Sequence, residues 1–182
     1  MSNGDKLVAI VTGAGGGIGA GIARKLSDDG YIVACVDVNY EAASAVAAEI
    51  SGAVAFKVDV SKESDVIHFR QELLHSVGAP TLLVSAAGIF FEHSVVTLSE
   101  ESYDLIMDVN LKGIFFMCKT FIPDFLAAGK GNIINISSTA GLHSGTNRAV
   151  YCASKVGSLC LLVPSPRIMV LREFAQISSV RV

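Results

Sequence analysis

The chain has 182 residues, of which 51% are hydrophobic and 17% are charged, and its formal net charge at pH 7 is −3. These values exclude a disordered chain and indicate one domain with a substantial core, over residues 1–182. The small negative charge leaves no basic surface for a nucleic-acid partner. The four cysteines form no CxxC pair and the four histidines lack metal-ligand spacing, so we expect reduced thiols and no metal site.

The N-terminal segment from Leu7 to Ala23 is apolar and follows Lys6, as the core of a targeting signal would. It is rich in glycine and becomes charged at Arg24 and Lys25, which argues against a signal peptide. No uncharged run reaches the roughly 18 residues of a membrane span. We therefore expect a cytoplasmic protein without a membrane partner.

Short apolar runs alternate with helical patterns along the chain. Strands are predicted over 7–12, 31–37, 53–58, 81–85 and 132–137, and helices over 17–29, 41–50, 61–77 and 99–128. A further helix contains the sequence YCASK, and Ser61 and Ser99 are the predicted N-caps of the third and fourth helices. Strands that are apolar throughout and alternate with helices indicate a parallel sheet covered on both faces. The predicted fold class is α/β, a doubly wound Rossmann-type sheet in three αβα layers.

A glycine-rich loop separates the first strand from the first helix. It reads TGAGGGIG from Thr12 to Gly19, with Gly13 at the tight turn and Gly17 and Gly19 where the protein backbone can approach a ligand closely. In this strand–loop–helix context the free N–H groups of the helix can accept a pyrophosphate. The alternative is a flexible turn without a ligand.

Asp37 ends the second strand, 18 residues after Gly19. A dinucleotide site places its ribose-binding carboxylate near this position, and an ionised Asp would repel a 2′-phosphate. No Arg or Lys lies between Gly13 and Gly19 or immediately after Asp37. The pattern favours NAD(H) over NADP(H) as cofactor, the alternative being an Asp that only ends a strand.

Tyr151 and Lys155 of YCASK stand four residues apart, which puts them on one face of a helix. Alone, the pair is typical of a helix start with Tyr at the core edge and Lys in solvent. Together with other motifs in chain order, it resembles the short-chain dehydrogenase/reductase family over about residues 7–157. The motifs are TGAGGGIG, Asp37, Asp59-Val60, Ala86-Ala87-Gly88, Asn110, Ser137-Ser138 and YCASK.

The resemblance implies roles for the catalytic residues. Tyr151 would be the general acid/base, and the ammonium of Lys155 would lower its pKa and hold the nicotinamide ribose. Ser138, 13 residues before Tyr151, would orient and polarise the substrate carbonyl. Asn110 would position a water that connects Lys155 to solvent.

The resemblance also implies the cofactor contacts. Asp59 and Val60 would meet the adenine, and Ala87 and Gly88 would run beside the adenosine ribose. The implied cofactor-binding set is Gly13, Gly17, Ile18, Gly19, Asp37, Asp59, Val60, Ala87, Gly88, Tyr151 and Lys155.

The chain departs from the family pattern in two places. Ser85 stands where the family has Asn before Ala-Ala-Gly, and it is expected to make one hydrogen bond in place of the full amide set. Pro164 and Pro166 should stop the last helix near Leu162, so that residues from about 164 to 182 differ from the family. We expect REFAQ (172–176) to form a short turn, ISSVRV (177–182) to begin a sixth strand, and a C-terminally shortened chain to lack the last strand.

The predicted function is an NAD(H)-dependent oxidoreductase that interconverts a small-molecule secondary alcohol and a ketone. The loops after the fourth and fifth strands, with Phe90, His93 and His143, are expected at the mouth of the site. By resemblance, the helix over 99–128 could carry a homo-oligomer interface. Two alternatives are a non-catalytic nucleotide-binding module and an incomplete or altered reading of a longer enzyme.

Overall fold

A computed structural model describes residues 7–143 and 145–161 in full and residues 168–174 as backbone. Strands and helices alternate in the predicted order. The strands are β1 Val8–Thr12, β2 Ile32–Asp37, β3 Val54–Lys57, β4 Leu82–Ser85, β5 Gly131–Ser137 and β6 Ile168–Phe174. The α-helices are α1 Gly17–Asp28, α2 Tyr40–Ala48, α3 Glu63–Ser76, α4 Glu100–Met107, α5 Gly113–Ala128 and α6 Ala149–Cys160.

The described strands form one parallel sheet in the order β3-β2-β1-β4-β5-β6. The chain winds outward from β1 to β3, crosses back, and continues on the other side from β4. At such a switch point the carboxyl ends of the two central strands open a crevice for a ligand. The predicted doubly wound Rossmann-type sheet is therefore confirmed.

Strand β1 is buried along its whole length because helices cover both faces of the sheet. Val8 and Ile10 pack into the core with α3 and α5, whereas Ala9 and Val11 pack into the core with α1 and α2. In the first core, Phe69 meets Phe121 edge-on, with ring centroids 5.7 Å apart. These two apolar layers hold the strand ends in place around the crevice.

Two helix predictions need correction. Helix α3 begins at Glu63, after Lys62 rather than Ser61, because the backbone N–H and the hydroxyl of Ser61 both donate to Asp59 Oδ1. The long helix predicted over 99–128 is interrupted by a π-helical turn at Asp108–Lys112, which joins α4 to α5. The N-cap at Ser99 is confirmed, since its hydroxyl accepts a hydrogen bond from Ser102 N–H.

Helix α6 ends at Cys160, close to the stop predicted from the two prolines. The turn predicted over 172–176 is wrong for its first three residues, which belong to β6. Strand β6 pairs in register with β5 and forms one edge of the described sheet. Residues 177–182, predicted as a sixth strand, lie outside the described residues.

Candidate active site

The glycine loop between β1 and α1 adopts a conformation that only glycine fits. Gly13 has φ +68° and Gly17 has φ +52°, both in the left-handed region. A Cβ on Gly19 would lie 2.1 Å from the carbonyl oxygen of Gly13. No side chain caps the N-terminus of α1 at Gly16, so its first N–H groups are available to an anionic ligand.

Asp37 at the end of β2 is bonded to this loop. Its Oδ2 accepts a hydrogen bond of 2.9 Å from Gly15 N–H, and its Oδ1 accepts one of 3.0 Å from Asn39 N–H. Two backbone donors therefore fix the carboxylate beside the loop. Each oxygen keeps acceptor capacity for a ligand hydroxyl.

Asp59 follows the end of β3 and lies, like Asp37, at the edge of the sheet formed by the carboxyl ends of the strands. Burial raises the pKa of its carboxyl, but hydrogen bonds from Ser61 and the ammonium of Lys62 outweigh that effect, and the net pKa is lowered. The Lys62 nitrogen is 3.2 Å from Asp59 Oδ2. Asp59 is therefore ionised at neutral pH and held by its own loop.

The segment after β4 is held by Thr12 rather than by Ser85. The Thr12 hydroxyl accepts hydrogen bonds of 3.0 and 3.1 Å from the N–H groups of Ala86 and Ala87. Ser85 Oγ is buried and makes no hydrogen bond with any described residue, so the single bond expected of it is not formed. Thr12 belongs to the glycine motif, but the motif gave no indication that its hydroxyl also holds the segment after β4.

Helix α6 brings the predicted catalytic residues to the end of β5. Tyr151, Lys155 and Ser138 are 5%, 3% and 4% exposed, so the alternative of a lysine in solvent is wrong. Lys155 Nζ donates a 3.1 Å hydrogen bond to the carbonyl oxygen of Ile136 and lies 5.8 Å from the centroid of the Tyr151 ring. Ile136 is a contact that the sequence did not single out, because a backbone carbonyl leaves no residue-type signal.

Burial dominates the titration of this pair. It lowers the pKa of Lys155 to about 8. Burial also raises the pKa of Tyr151, an effect opposed by a hydrogen bond with Ser138 and by the charge of Arg148 and increased by Cys152. The expected lowering of the Tyr151 pKa by Lys155 is thus wrong for this structure, since both groups are desolvated and the ammonium is bonded to Ile136.

Asn110 is fully buried within the π-helical turn. Its Oδ1 accepts from Ile89 N–H at 2.8 Å, and its Nδ2 donates to Ile89 O at 2.9 Å and to Ser154 Oγ at 3.1 Å. The side chain therefore ties the loop after β4 to α6. Its predicted water-positioning role stays a prediction, and Ser154, the small residue between Tyr151 and Lys155, is a partner that sequence reasoning missed.

A cleft of about 800 Å³ runs over the carboxyl ends of the strands. Every residue of the predicted cofactor-binding set lines it, together with residues that the sequence did not single out. Those further lining residues include Leu105, Val109 and Ile136. Asn110 and Ser138 lie outside this lining, but each is hydrogen-bonded to a residue of it, Asn110 to Ile89 and Ser138 to Tyr151.

Aromatic and basic side chains surround Tyr151 on its other side. The ring of Phe90 meets the ring of Tyr151 edge-on, with centroids 5.0 Å apart. His93, Arg148 and Tyr151 border a shallow depression next to it. His143 contributes its carbonyl oxygen, which lies 3.9 Å from Cys152 Sγ.

Two predicted absences concern the described residues only. There, no group of three or more His, Cys, Asp or Glu side chains is arranged to hold a metal ion. The same part of the chain has no helix that is both long enough and apolar enough to cross a membrane.

A glycine-loop crevice beside a buried tyrosine–lysine pair, at the switch point of a doubly wound parallel sheet, defines a nucleotide-binding Rossmann fold. The family model for short chain dehydrogenases matches residues 7–162. The chain therefore belongs to the short-chain dehydrogenase family.

Individual relatives agree with this assignment. A sorbitol dehydrogenase of Cereibacter sphaeroides is 36% identical over 159 residues, covering 86% of this chain and 62% of the relative. A 3-oxoacyl-(acyl-carrier-protein) reductase FabG of Staphylococcus epidermidis is 34% identical over 167 residues, covering 87% of this chain and 67% of the relative. A metagenomic short-chain oxidoreductase solved in complex with NADP superposes with a TM-score of 0.85 at 34% identity, covering 91% of this chain and 80% of that one.

Proposed function

We propose that this chain is an NAD(H)-dependent oxidoreductase that interconverts a small-molecule secondary alcohol and a ketone. One observation carries the proposal. A single cleft contains the glycine loop and Asp37 on the β2 side of the switch point and Tyr151 with Lys155 on the β5 side. A dinucleotide spanning the switch point would thus reach the candidate proton donor.

The residues present fit such a cofactor. Side chains at Gly16 and Gly17 would meet no atom within 4 Å, so the space above the loop is open. A Cβ on Gly88 would lie 3.3 Å from both Lys155 Nζ and Asn110 Oδ1, so a larger residue there would crowd these two side chains. Asp37 would hold the adenosine ribose and Lys155 the nicotinamide ribose.

Asp37 supports the choice of NAD(H) over NADP(H). Its carboxylate would accept hydrogen bonds from ribose hydroxyls and repel a 2′-phosphate. The neighbouring solved structure holds NADP, so the preference proposed here depends on Asp37 of this chain.

Proton transfer is assigned to the residues at the end of β5. A bound nicotinamide supplies the hydride for carbonyl reduction and takes it up in alcohol oxidation. During reduction, Tyr151 gives its phenolic proton to the carbonyl oxygen while Ser138 donates a hydrogen bond to the same oxygen. Because burial raises the pKa of Tyr151, the phenol carries this proton at neutral pH.

The domain and oligomer assignments are part of the proposal. Both apolar cores share one sheet, which supports a single domain over residues 1–182. Tyr103 and Phe115, on α4 and α5, are 47% and 45% exposed, which supports a homo-oligomer through the helix predicted over 99–128. A cytoplasmic location stays a prediction.

The central test compares the chain with its Tyr151→Phe variant. We expect both to bind NADH, as followed by nicotinamide fluorescence. The variant should lose ketone reduction by about 10²- to 10⁴-fold, the usual contribution of a general acid. NADH binding without turnover by the unmodified chain on a broad ketone panel would instead favour the non-catalytic nucleotide-binding module.

A further inference from the structure

Arg148 differs from the other arginines whose side chains the structure describes. Arg24 donates to Glu49 at 3.0 and 2.7 Å, and Arg70 donates to Asp124 at 2.7 and 2.5 Å. Arg148 has no carboxylate partner among the described residues. Its charge is therefore uncompensated by a carboxylate in this part of the molecule.

The guanidinium is placed by an aromatic ring. Its central carbon lies 5.4 Å from the centroid of Phe90, and the same ring meets Tyr151 at 5.0 Å. A guanidinium can rest against an aromatic face and keep its N–H donors available for a carboxylate. The Phe90 ring thus contacts both the guanidinium of Arg148 and the ring of Tyr151, the candidate catalytic residue.

The electrostatic effect of Arg148 extends to the reacting position. Burial raises the pKa of Tyr151, and the charge of Arg148 opposes this rise. Arg148 and Tyr151 also border the same depression at the mouth. An anionic group of a substrate held at Tyr151 would lie within reach of this field.

We propose that Arg148 binds a carboxylate of the substrate, which makes a hydroxy acid or an oxo acid the substrate class of this site. The inference rests on the proposed function, since it takes Tyr151 as the position of the reacting oxygen. The planar fork of the guanidinium would pair with the carboxylate while the oxo group faces Tyr151. Arg148 is then a specificity-determining residue.

The test measures binding, so that it does not depend on turnover. A series of short oxo acids and their methyl esters is titrated by calorimetry into the full chain, with and without saturating NADH. We expect at least one acid to bind about fivefold more tightly than its ester, the scale of a partly exposed ion pair. Arg148→Gln should abolish this preference, and Arg148→Lys should keep part of it.

Two further variants separate a local effect from a general one. Arg24→Gln removes the same charge far from the mouth, where Arg24 pairs with Glu49, and should keep the preference. Phe90→Leu removes the ring against which Arg148 rests and should reduce it.

Equal binding of acids and esters throughout the series, or an unchanged preference in Arg148→Gln, would overturn the inference. Turnover is measured separately on the same ligands. A preference for acids that depends on Arg148, without reduction of any ketone, supports the anion subsite and counts against the proposed oxidoreductase activity. Reduction of the neutral esters alone would support the proposed oxidoreductase activity and count against the anion subsite at Arg148.

Discussion

The carboxylate of Asp37 and the backbone of Gly15, 22 residues apart in the chain, are joined by a 2.9 Å hydrogen bond. A Cβ on Gly15 would lie 2.8 Å from the same Asp37 oxygen, so both residues are constrained by the contact. The proposed cofactor preference and the shape of the glycine loop therefore depend on one interaction.

Replacing Asp37 with Ala should remove the preference for NADH over NADPH. The carboxylate would repel a 2′-phosphate and would accept hydrogen bonds from ribose hydroxyls, so we expect at least about tenfold tighter NADH binding in the unmodified chain. In the variant, NADH should bind more weakly and the two affinities should converge, as measured by nicotinamide fluorescence. Asp29→Ala is the control, since Asp29 pairs with Lys25 away from the cleft. Equal affinities in the unmodified chain would contradict the prediction.

Two glycine-to-alanine changes in α1 should have opposite effects. At Gly19 the new methyl group would lie 2.1 Å from Gly13 O, so the loop must shift, at a cost of about 1–3 kcal/mol in the free energy of unfolding. At Gly21 the methyl group meets nothing within 4 Å, and higher helix propensity should stabilise the chain by up to about 1 kcal/mol. Urea denaturation measures both, and NADH binding should weaken only in Gly19→Ala. Similar effects at the two positions would refute the steric argument.

Asn110→Asp should destabilise the fold by about 3 kcal/mol. The substitution replaces the Nδ2 donor to Ile89 O and Ser154 Oγ with an oxygen, inside a fully buried site. Asn39→Asp is the matched control, because Asn39 caps α2 at the surface and Asp caps equally well. Unfolding curves of the two variants provide the comparison. A native-like stability of Asn110→Asp would mean that the structural bonds are unimportant and would favour the water-positioning role alone.

The stability difference between Lys155→Met and the unmodified chain should depend on pH. Burial lowers the pKa of Lys155 from 10.5 to about 8, so below pH 8 the folded chain carries a buried charge that the unfolded chain exposes to water. Between pH 8 and 10.5 the unfolded state binds one proton more than the folded state. The free energy of unfolding of the unmodified chain therefore rises relative to that of the variant as the pH rises through this range. The gain should approach roughly 3 kcal/mol.

Comparing the two chains also removes the contribution of the buried thiols to the pH dependence of stability. Burial raises the pKa of Cys35 and of Cys118 to about 11, which destabilises the fold as the pH rises above 9, but both chains contain these residues. The measurement is a set of urea unfolding curves at several pH values. A difference that stays constant with pH would show that Lys155 titrates normally in the folded chain.

Patterns in the sequence were sufficient to predict the order of strands and helices as far as α6, the class of the sheet, and a set of cofactor-binding residues that all line the cleft. Unbroken apolar runs such as LVAIVT predict a strand covered on both faces, and a glycine cluster between a strand and a helix predicts a phosphate loop. These are local patterns, and the structure brings the predicted cofactor residues together as expected.

The hydrogen bonds and the protonation equilibria of these side chains could not be predicted from the sequence, because they depend on the tertiary structure. Three contacts join segments that are distant in the chain. Lys155 donates to Ile136 O, Thr12 in place of Ser85 accepts from the N–H of Ala86, and Arg148 lies against the ring of Phe90. The rise in the Tyr151 pKa likewise depends on the burial produced by the whole fold. Residue type and spacing carry no information on desolvation or on backbone carbonyls, because both arise only when distant segments pack together.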